Sequence, residues 1–594
     1  MTTDLRTFYT DRRKNLDAEI VAVSRGVNFT SNARLTVALA FAASVYGGFQ
    51  QAEWFYLSGA LAVLFALLVK RHTTQFEKLV HLKHLRAIQD EELASLEGDV
   101  SSQPDGQAFI DIHHPYSHDL DVFGRGSLFQ HLNRCRTSGG MQRLAARLQE
   151  RADNQEVILT WQEAARELAE MSDFRHNVQA LTRQISEDAN DRRQLELWLN
   201  NDPFFRNSAW YRIALVVMPA ITVALVATAF FVDGLTGTAL LAAAFQWTFH
   251  ALHLKRVNAY HGYISGRKNT LARYGLLLQT IGATGFRTPF MQNIGATAHS
   301  GHGAVTQLAT LVNALDARMN MMMNLLVNTL FLYDLQCVFR LEQWRKENRN
   351  HLFNWIDALY ETEVIASMGT FSFNHPHFVF PIIQNDRVFE ARNLGHPLLH
   401  EKERITNDFT MDEDRSIHII TGANMAGKST FLRAIGVNVV LALAGAPVCA
   451  SEMRCPLIDL RSGMRTADSL QDHQSYFYAE LDRLKSIMDE LRTGKPLLIL
   501  LDEILKGTNS NDKQAGSFAL VRQLVDQPCL ALIATHDLAL GVLEEQYPQR
   551  ILNFSFEPRI DNDQLMFDYK LRRGVAQKMN ATFLMKKMGI LPPD

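Results

Sequence analysis

Residues 422–429 read Gly-Ala-Asn-Met-Ala-Gly-Lys-Ser, one residue after the mainly apolar run Ile417-His-Ile-Ile420. This is the pattern G-x-x-x-x-G-K-[ST], set between a predicted strand and a predicted helix. It constrains the chain more than any other feature, because it requires a strand, a tight loop and a helix in that order. Glycines let the backbone N–H groups curl around phosphate oxygens, and the following helix adds its positive end. The implied ligand is a nucleoside triphosphate, ATP, with Mg²⁺. Gly422, Ala423, Asn424, Met425, Ala426 and Gly427 form the cradle. Lys428 is placed to reach the β and γ phosphates, Ser429 to ligate Mg²⁺ and Thr430 to hold phosphate.

Two later segments fit the same site. Pro496-Leu-Leu-Ile-Leu-Leu-Asp-Glu503 is an apolar strand ending in two carboxylates. Asp502 suits a second Mg²⁺ contact, and Glu503 is placed to activate water as a general base. Cys529-Leu-Ala-Leu-Ile-Ala-Thr-His536 is another core strand with a polar end. His536 could sense the γ phosphate or orient the attacking water. Taken alone, each segment also reads as a buried strand with a solvated tip; the order of the three favours one ATP-hydrolysing site.

Elsewhere the apolar residues are bunched. Leu35–Phe49 and Trp54–Val69 carry no charge and are separated by Gln50-Gln-Ala-Glu53; Ile213–Val232 and Leu235–Leu254 meet around Asp233-Gly234. The second pair has members of about 20 residues, enough to span a hydrocarbon core, and the first pair about 15–16. Positive charge sorts around them. Arg6, Arg12, Arg13, Lys14, Arg25 and Arg34 precede the first hairpin and Lys70-Arg71 follow it; Arg206 and Arg212 precede the second and Lys255-Arg256 close it. Neither tip holds Lys or Arg. The positive-inside rule then predicts four transmembrane helices in two hairpins of an inner- or plasma-membrane type, with both termini and the ATPase domain cytoplasmic. The alternative is two helical hairpins buried in a soluble core, which Gln246, His250 and His253 favour.

The net charge of −3 gives no global basic footprint that would demand nucleic acid. The cysteines Cys135, Cys337, Cys449, Cys455 and Cys529 form no C-x-x-C pair, which fits reduced thiols. The polar first 30 residues predict no cleavable signal peptide. The expected organisation is a polar segment at 1–34, the first hairpin at 35–70, a helix and linker at 71–106, and the opening segment of a helical core at 107–205. The second hairpin follows at 206–256, the remaining helical core or lever at 257–385, and an α/β P-loop ATPase domain at 386–594. His113, His114, His118 and Asp119 could suggest a metal cluster but read better as a loop. Met321–Met323 with Leu325 and Leu326 read as core packing. Arg345, Lys346 and Arg349 read as a solvated helix face; Arg267, Lys268, Arg273 and Arg287 could form a basic strip.

The run Ile419-Ile-Thr-Gly-Ala-Asn-Met-Ala-Gly-Lys-Ser-Thr-Phe-Leu-Arg433 resembles the MutS family of mismatch-repair ATPases, the Asn-Met pair being narrower than the generic loop. Downstream, Ala444–Ala450, Asp468-Ser-Leu470, Gln474-Ser-Tyr-Phe477 with Glu480, Asp502-Glu-Ile-Leu-Lys-Gly-Thr508, Ala534-Thr-His536, Tyr569–Val575 and Gly589-Ile-Leu-Pro592 are similar to its later segments. Upstream, Asp119–Gly124, Gly126–Phe129, Leu132–Arg134, Thr137–Gly140 and Arg143-Leu144 look like the start of its helical core. Ile356–Leu359, Val364–Ser367 and Gly395-His-Pro397 look like that core's end. The resemblance implies an ATPase that pairs as a homodimer through composite sites. Asn424 would face the γ phosphate and the attacking water, and Ser475 would reach the partner's γ phosphate. Arg404 and Ile405 would lie near the base, Arg404 standing where the family tends to place a stacking aromatic. The family also implies mismatched or branched DNA.

Departures accompany the match. A membrane hairpin stands where a mispair-reading module with its Phe-x-Glu element is expected, a second interrupts the helical core, and little room remains for a DNA clamp. Leu505 and Lys506 replace the family's Gly-Arg. Three functions follow: a membrane-anchored MutS-like ATPase acting on DNA, a membrane ATPase acting on a protein partner or on membrane organisation, and a transporter. The absence of the L-S-G-G-Q signature disfavours the last.

Overall fold

An apolar run without alternation, such as Leu497–Leu501, has to be covered on both faces. In the computed structural model, which describes residues 2–187, 190–205, 208–319, 321–423, 425–465, 476–505, 509–561 and 564–577, it is. The helices are α1 (Thr2–Gly48), α2 (Trp54–Leu96), α3 (Leu128–Leu132), α4 (Ser138–Gln149), α5 (Gln155–Glu170), α6 (Ser172–Thr182), α7 (Asp191–Asn200), α8 (Ser208–Thr228), α9 (Thr236–Ile264), α10 (Lys268–Gly282), α11 (Pro289–Asp316), α12 (Met321–Phe331), α13 (Tyr333–Asn348), α14 (Leu352–Asn374), α15 (Lys428–Leu443), α16 (Tyr476–Leu491), α17 (Ser510–Val525) and α18 (Leu543–Gln546). The strands are β1 (Ile382–Gln384), β2 (Phe389–Leu394), β3 (Asn407–Met411), β4 (Ile417–Gly422), β5 (Glu452–Pro456), β6 (Asp459–Gly463), β7 (Leu497–Asp502), β8 (Cys529–Thr535), β9 (Ile551–Asp561) and β10 (Gln564–Arg573). Two compact units result: Met1–Arg134 with Gln142–Arg175 and Ile365–Asp594, and Cys135–Met141 with His176–Val364.

The first unit holds both sheets. The larger runs β10-β9-β4-β8-β7-β6, parallel except for β10. Side chains alternate between its faces. Ile499, Leu501 and Ile533 face Ile487, Leu491, Val521 and Leu524 of α16 and α17. Leu500 faces α15, where a side chain at Gly436 would come within 2.8 Å of both Leu120 and Leu500. A smaller sheet runs β1-β5-β2-β3.

One core residue of β4 is titratable. His418 is fully buried between Phe409 and Phe554, and burial pushes its pKa down to about 3. A base whose folded-state pKa lies below its unfolded value leaves stability intact above that unfolded value and erodes it as the pH falls below. Near pH 5 the loss is about 2 kcal/mol. The melting-temperature advantage of His418→Leu should therefore widen from about pH 7.5 to about pH 5; a constant offset would show that the histidine does not titrate on unfolding.

Also in the first unit, α1 and α2 form a long antiparallel hairpin. Arg6–Glu97, Lys78–Glu19 and Arg86–Asp17 bridge its polar length. Its base is fixed by a buried network: Glu92 accepts from Arg134 Nε and from Asn374 Nδ2, and the Tyr9 hydroxyl donates to Asn374. Nothing in residues 2–48 breaks the helix before Gly47-Gly48, so the polar lead and the apolar run are one element.

The second unit is helical. Trp198 stacks on Trp344 at its centre, and a side chain at Gly301 would overlap Trp355. Arg345 is buried, bonded to Glu342 and to the Trp198 carbonyl, rather than on the solvated face expected from its charged neighbours. Leu325 and Leu326 are 52% and 57% exposed, not core; the side chains of Met321–Met323 lie outside the described residues.

Four spans were expected. Among the described residues, two helices are long and apolar enough to cross a membrane: Trp54–Leu96 and Ala209–Thr228. The others fall short for readable reasons. The apolar end of α1 stops at the glycine pair, and α9 carries Gln246, His250 and His253 within its apolar stretch. Large apolar side chains are nevertheless exposed along both hairpins, including Leu35, Leu39, Phe55, Leu67, Val216, Ile221, Leu240 and Phe245.

Candidate nucleotide site

The site is built at the carboxyl edge of the parallel strands, where open α/β sheets present their loops to ligands. Pairing places β4 between β9 and β8, with β7 next to β8; Thr421 sits opposite Thr535 and Asp502 opposite Ala534. The loop after β4, the acidic end of β7 and the Thr535-His536 end of β8 are therefore neighbours.

Backbone geometry makes the loop. Gly422 has φ +151°, and a side chain there would lie 2.5 Å from the Phe556 carbonyl oxygen; Gly427 has φ +104° and opens directly into α15. Met425, at φ +70°, is almost wholly exposed. Lys428 is buried, and its Nζ donates to the carbonyls of Gly422 (2.7 Å) and Ala423 (2.9 Å), which holds the ammonium across the loop. Ala426 is buried beneath; Ser429 and Thr430, in the first turn of α15, are exposed. An anion set here would meet the N-terminus of α15 and a lysine together. Asn424 lies outside the described residues, as does Ser475.

The end of β7 is strained. Glu503 has φ +53° and Leu505 φ +60°, values costly for residues with a Cβ. The turn is held by Glu503 N–H donating to the Ala534 carbonyl at 2.9 Å and by Leu505 N–H donating to Glu480 of α16. That turn brings Glu503 Oε1 to 3.6 Å from His536 Nδ1, and Lys513 Nζ lies 3.5 Å from His536 Nε2. Asp502 Oδ1 is buried and has no hydrogen-bond partner among the described residues. A buried lone carboxylate oxygen and an open serine hydroxyl are ligands a Mg²⁺ ion accepts alongside phosphate oxygens and water, so Ser429 and Asp502 fit that role.

Arg404 and Ile405 stand differently. The Arg404 guanidinium donates to the carbonyls of His396 (3.1 Å) and Leu399 (2.7 Å) and lies over the Phe378 ring, so it is engaged within its own loop. Ile405 is exposed. The aromatic at the phosphate loop is instead Tyr569, whose ring would be 2.9 Å from a Cβ at Gly427. It has φ +52°, sits where the β9–β10 register shifts, and is held by Asn407 Nδ2 donating to its carbonyl. An exposed tyrosine there can stack on a base.

Residues given no role by the sequence support the site. Asp119 is fully buried and accepts from Ser462 Oγ (2.7 Å), Met464 N–H (3.1 Å) and Arg465 N–H (3.0 Å), with Arg483 at 2.9 Å. Asp121 pairs with Arg433 of α15 and with Arg465. Among the described residues, the histidines beside Asp119 included, no group of three or more His, Cys, Asp and Glu is placed to hold a metal ion.

Comparison with known proteins bears on this half of the chain. Residues 418–592 match the family model of MutS domain V. The DNA mismatch repair protein MutS of Thermotoga sp. (strain RQ2) is 28% identical over 252 residues, 42% of this chain and 31% of that protein. The MutS proteins of Halalkalibacterium halodurans and Chloroflexus aurantiacus are 30% and 32% identical over 236 and 247 residues, covering 39% and 40% of this chain and 27% and 24% of those proteins. The chain thus spans about a quarter to a third of the length of these relatives.

Proposed function

We propose that this protein is a membrane-anchored ATPase with a MutS-like motor domain, which uses ATP binding to close a homodimer and hydrolysis to open it. The observation that carries the reading is the single strand edge that gathers the Gly422–Thr430 loop, Asp502, Glu503 and His536. The loop amides and Lys428 hold the phosphates, and Tyr569 packs against the base or ribose. Mg²⁺, held by Ser429 and Asp502, would neutralise charge on the phosphate oxygens. Glu503 takes a proton from the attacking water, and His536 beside it orients that carboxylate. The family resemblance supports Asn424 at the γ phosphate and Ser475 as the contact donated by the partner.

The exposed apolar stretches of α1, α2, α8 and α9 support the anchor. A contiguous apolar face of this extent is stable only against lipid or another protein, and the Lys and Arg flanks match the positive-inside pattern. Washing membranes with alkaline carbonate should leave the protein in the pellet; release to the supernatant would remove the anchor.

The relatives' names attach mismatch repair to those proteins, and action on mismatched or branched DNA is the second reading for this chain. Turnover raised by DNA, with binding that weakens steeply as salt increases, would favour it. Turnover indifferent to DNA of any shape favours a protein or membrane target.

A further inference from the structure

We propose that α12 is a third membrane-embedded element of the second hairpin, a re-entrant helix whose partner is lipid hydrocarbon. This rests on the membrane reading of α8 and α9. The helix reads Met-Met-Met-Asn-Leu-Leu-Val-Asn-Thr-Leu-Phe from 321 to 331, without a charge. At about 16 Å it is too short to cross a hydrocarbon core of about 30 Å. It does not need to, because α11, which leads into it, and α13, which leads out, pack against each other. The chain therefore returns to the side it came from.

The segment leading into α12 is tied to the end of α9 that bears Lys255 and Arg256, and the segment leaving it is tied to the middle of α9. Asp316 bonds to His261 at 2.9 Å, and Arg318 Nη2 donates to Asn258 at 2.8 Å. Asp334, fully buried, lies 3.3 Å from His250 Nε2 and 3.0 Å from Arg318 Nε. A lone charge in a low-dielectric layer is costly, and two partners on Asp334 Oδ2 offset that cost. Backbone groups released by the reversal at Leu332 (φ +51°) are also met: Gln336 Nε2 donates to the Phe331 carbonyl at 2.8 Å and reaches the Leu215 carbonyl of α8 at 3.3 Å, and Asn328 Oδ1 accepts from Asp334 N–H at 2.9 Å. Satisfying the turn internally is the condition for irregular backbone at membrane depth.

The outer face of α12 exposes Leu325, Leu326 and Phe331. It packs on α8 and α9, whose own exposed residues include Val216, Val217, Leu240 and Leu241. Protein docking sites carry a polar, charged rim; this helix has no charged residue, and its surface continues apolar faces already assigned to lipid.

The test is cysteine labelling of the full-length protein in membranes with a charged, membrane-impermeant maleimide applied to the cytoplasmic side. The native cysteines are all buried, and the parent chain measures their background. Leu326→Cys, Val216→Cys on α8 and Leu197→Cys on α7 each replace an exposed leucine or valine. Leu326→Cys should react at least about tenfold more slowly than Leu197→Cys, because no thiolate forms in hydrocarbon, and should react as fast once the membrane is dissolved in detergent. Rapid labelling of Leu326→Cys with Val216→Cys still shielded would overturn the re-entrant helix alone. Rapid labelling of Val216→Cys as well would overturn the membrane reading beneath it.

Discussion

Glu503→Gln should leave ATP binding intact and lower turnover by about 10²–10⁴-fold, the usual worth of a positioned general base. The substitution keeps the shape of the side chain and the strained turn that presents it, since that turn is held by backbone N–H groups donating to Ala534 and Glu480. What it removes is the basic oxygen 3.6 Å from His536. Binding of a fluorescent ATP analogue and steady-state phosphate release, measured on the same preparation, separate the two effects. Unchanged turnover would remove Glu503 as the base.

Asp119→Ala should destabilise the first unit by about 3–5 kcal/mol, the cost of removing one partner from a buried ion pair. Asp119 gathers a hydroxyl, two backbone N–H groups and the Arg483 guanidinium at the end of β6. Alanine would strand all of them without water. A melting temperature lower by roughly 10 °C is the expected reading in detergent solution. Asp119→Asn, which retains acceptor capacity without the charge, should lose less; equal losses would mean that the charge alone carries the stabilisation.

The contrast between these two residues shows what the sequence could reveal. Lys428, Asp502 and Glu503 sit at a helix start and a strand end that local pattern identifies, so their gathering at one sheet edge was legible. Asp119 acts on residues more than 340 positions later, and nothing local marks that pairing. Tyr569 was hidden for a similar reason: only the register shift between β9 and β10 brings it to the phosphate loop. Arg345 read as solvated because Lys346 and Arg349 flank it, but helical periodicity turns it inward, onto Glu342. Leu325 and Leu326 read as core because sequence hydrophobicity does not distinguish a buried apolar face from an exposed one.

The most direct measurement is hydrolysis of ATP by the full-length protein in detergent or reconstituted in lipid, with and without Mg²⁺, beside Lys428→Ala. Lys428 spans the loop from within, donating to Gly422 and Ala423, so its loss removes the ammonium from the phosphate loop and leaves the strand pairing in place. The predicted result is Mg²⁺-dependent hydrolysis by the parent and none above background by the variant. Equal rates from the two proteins would contradict an ATPase centred on the Gly422–Ser429 loop.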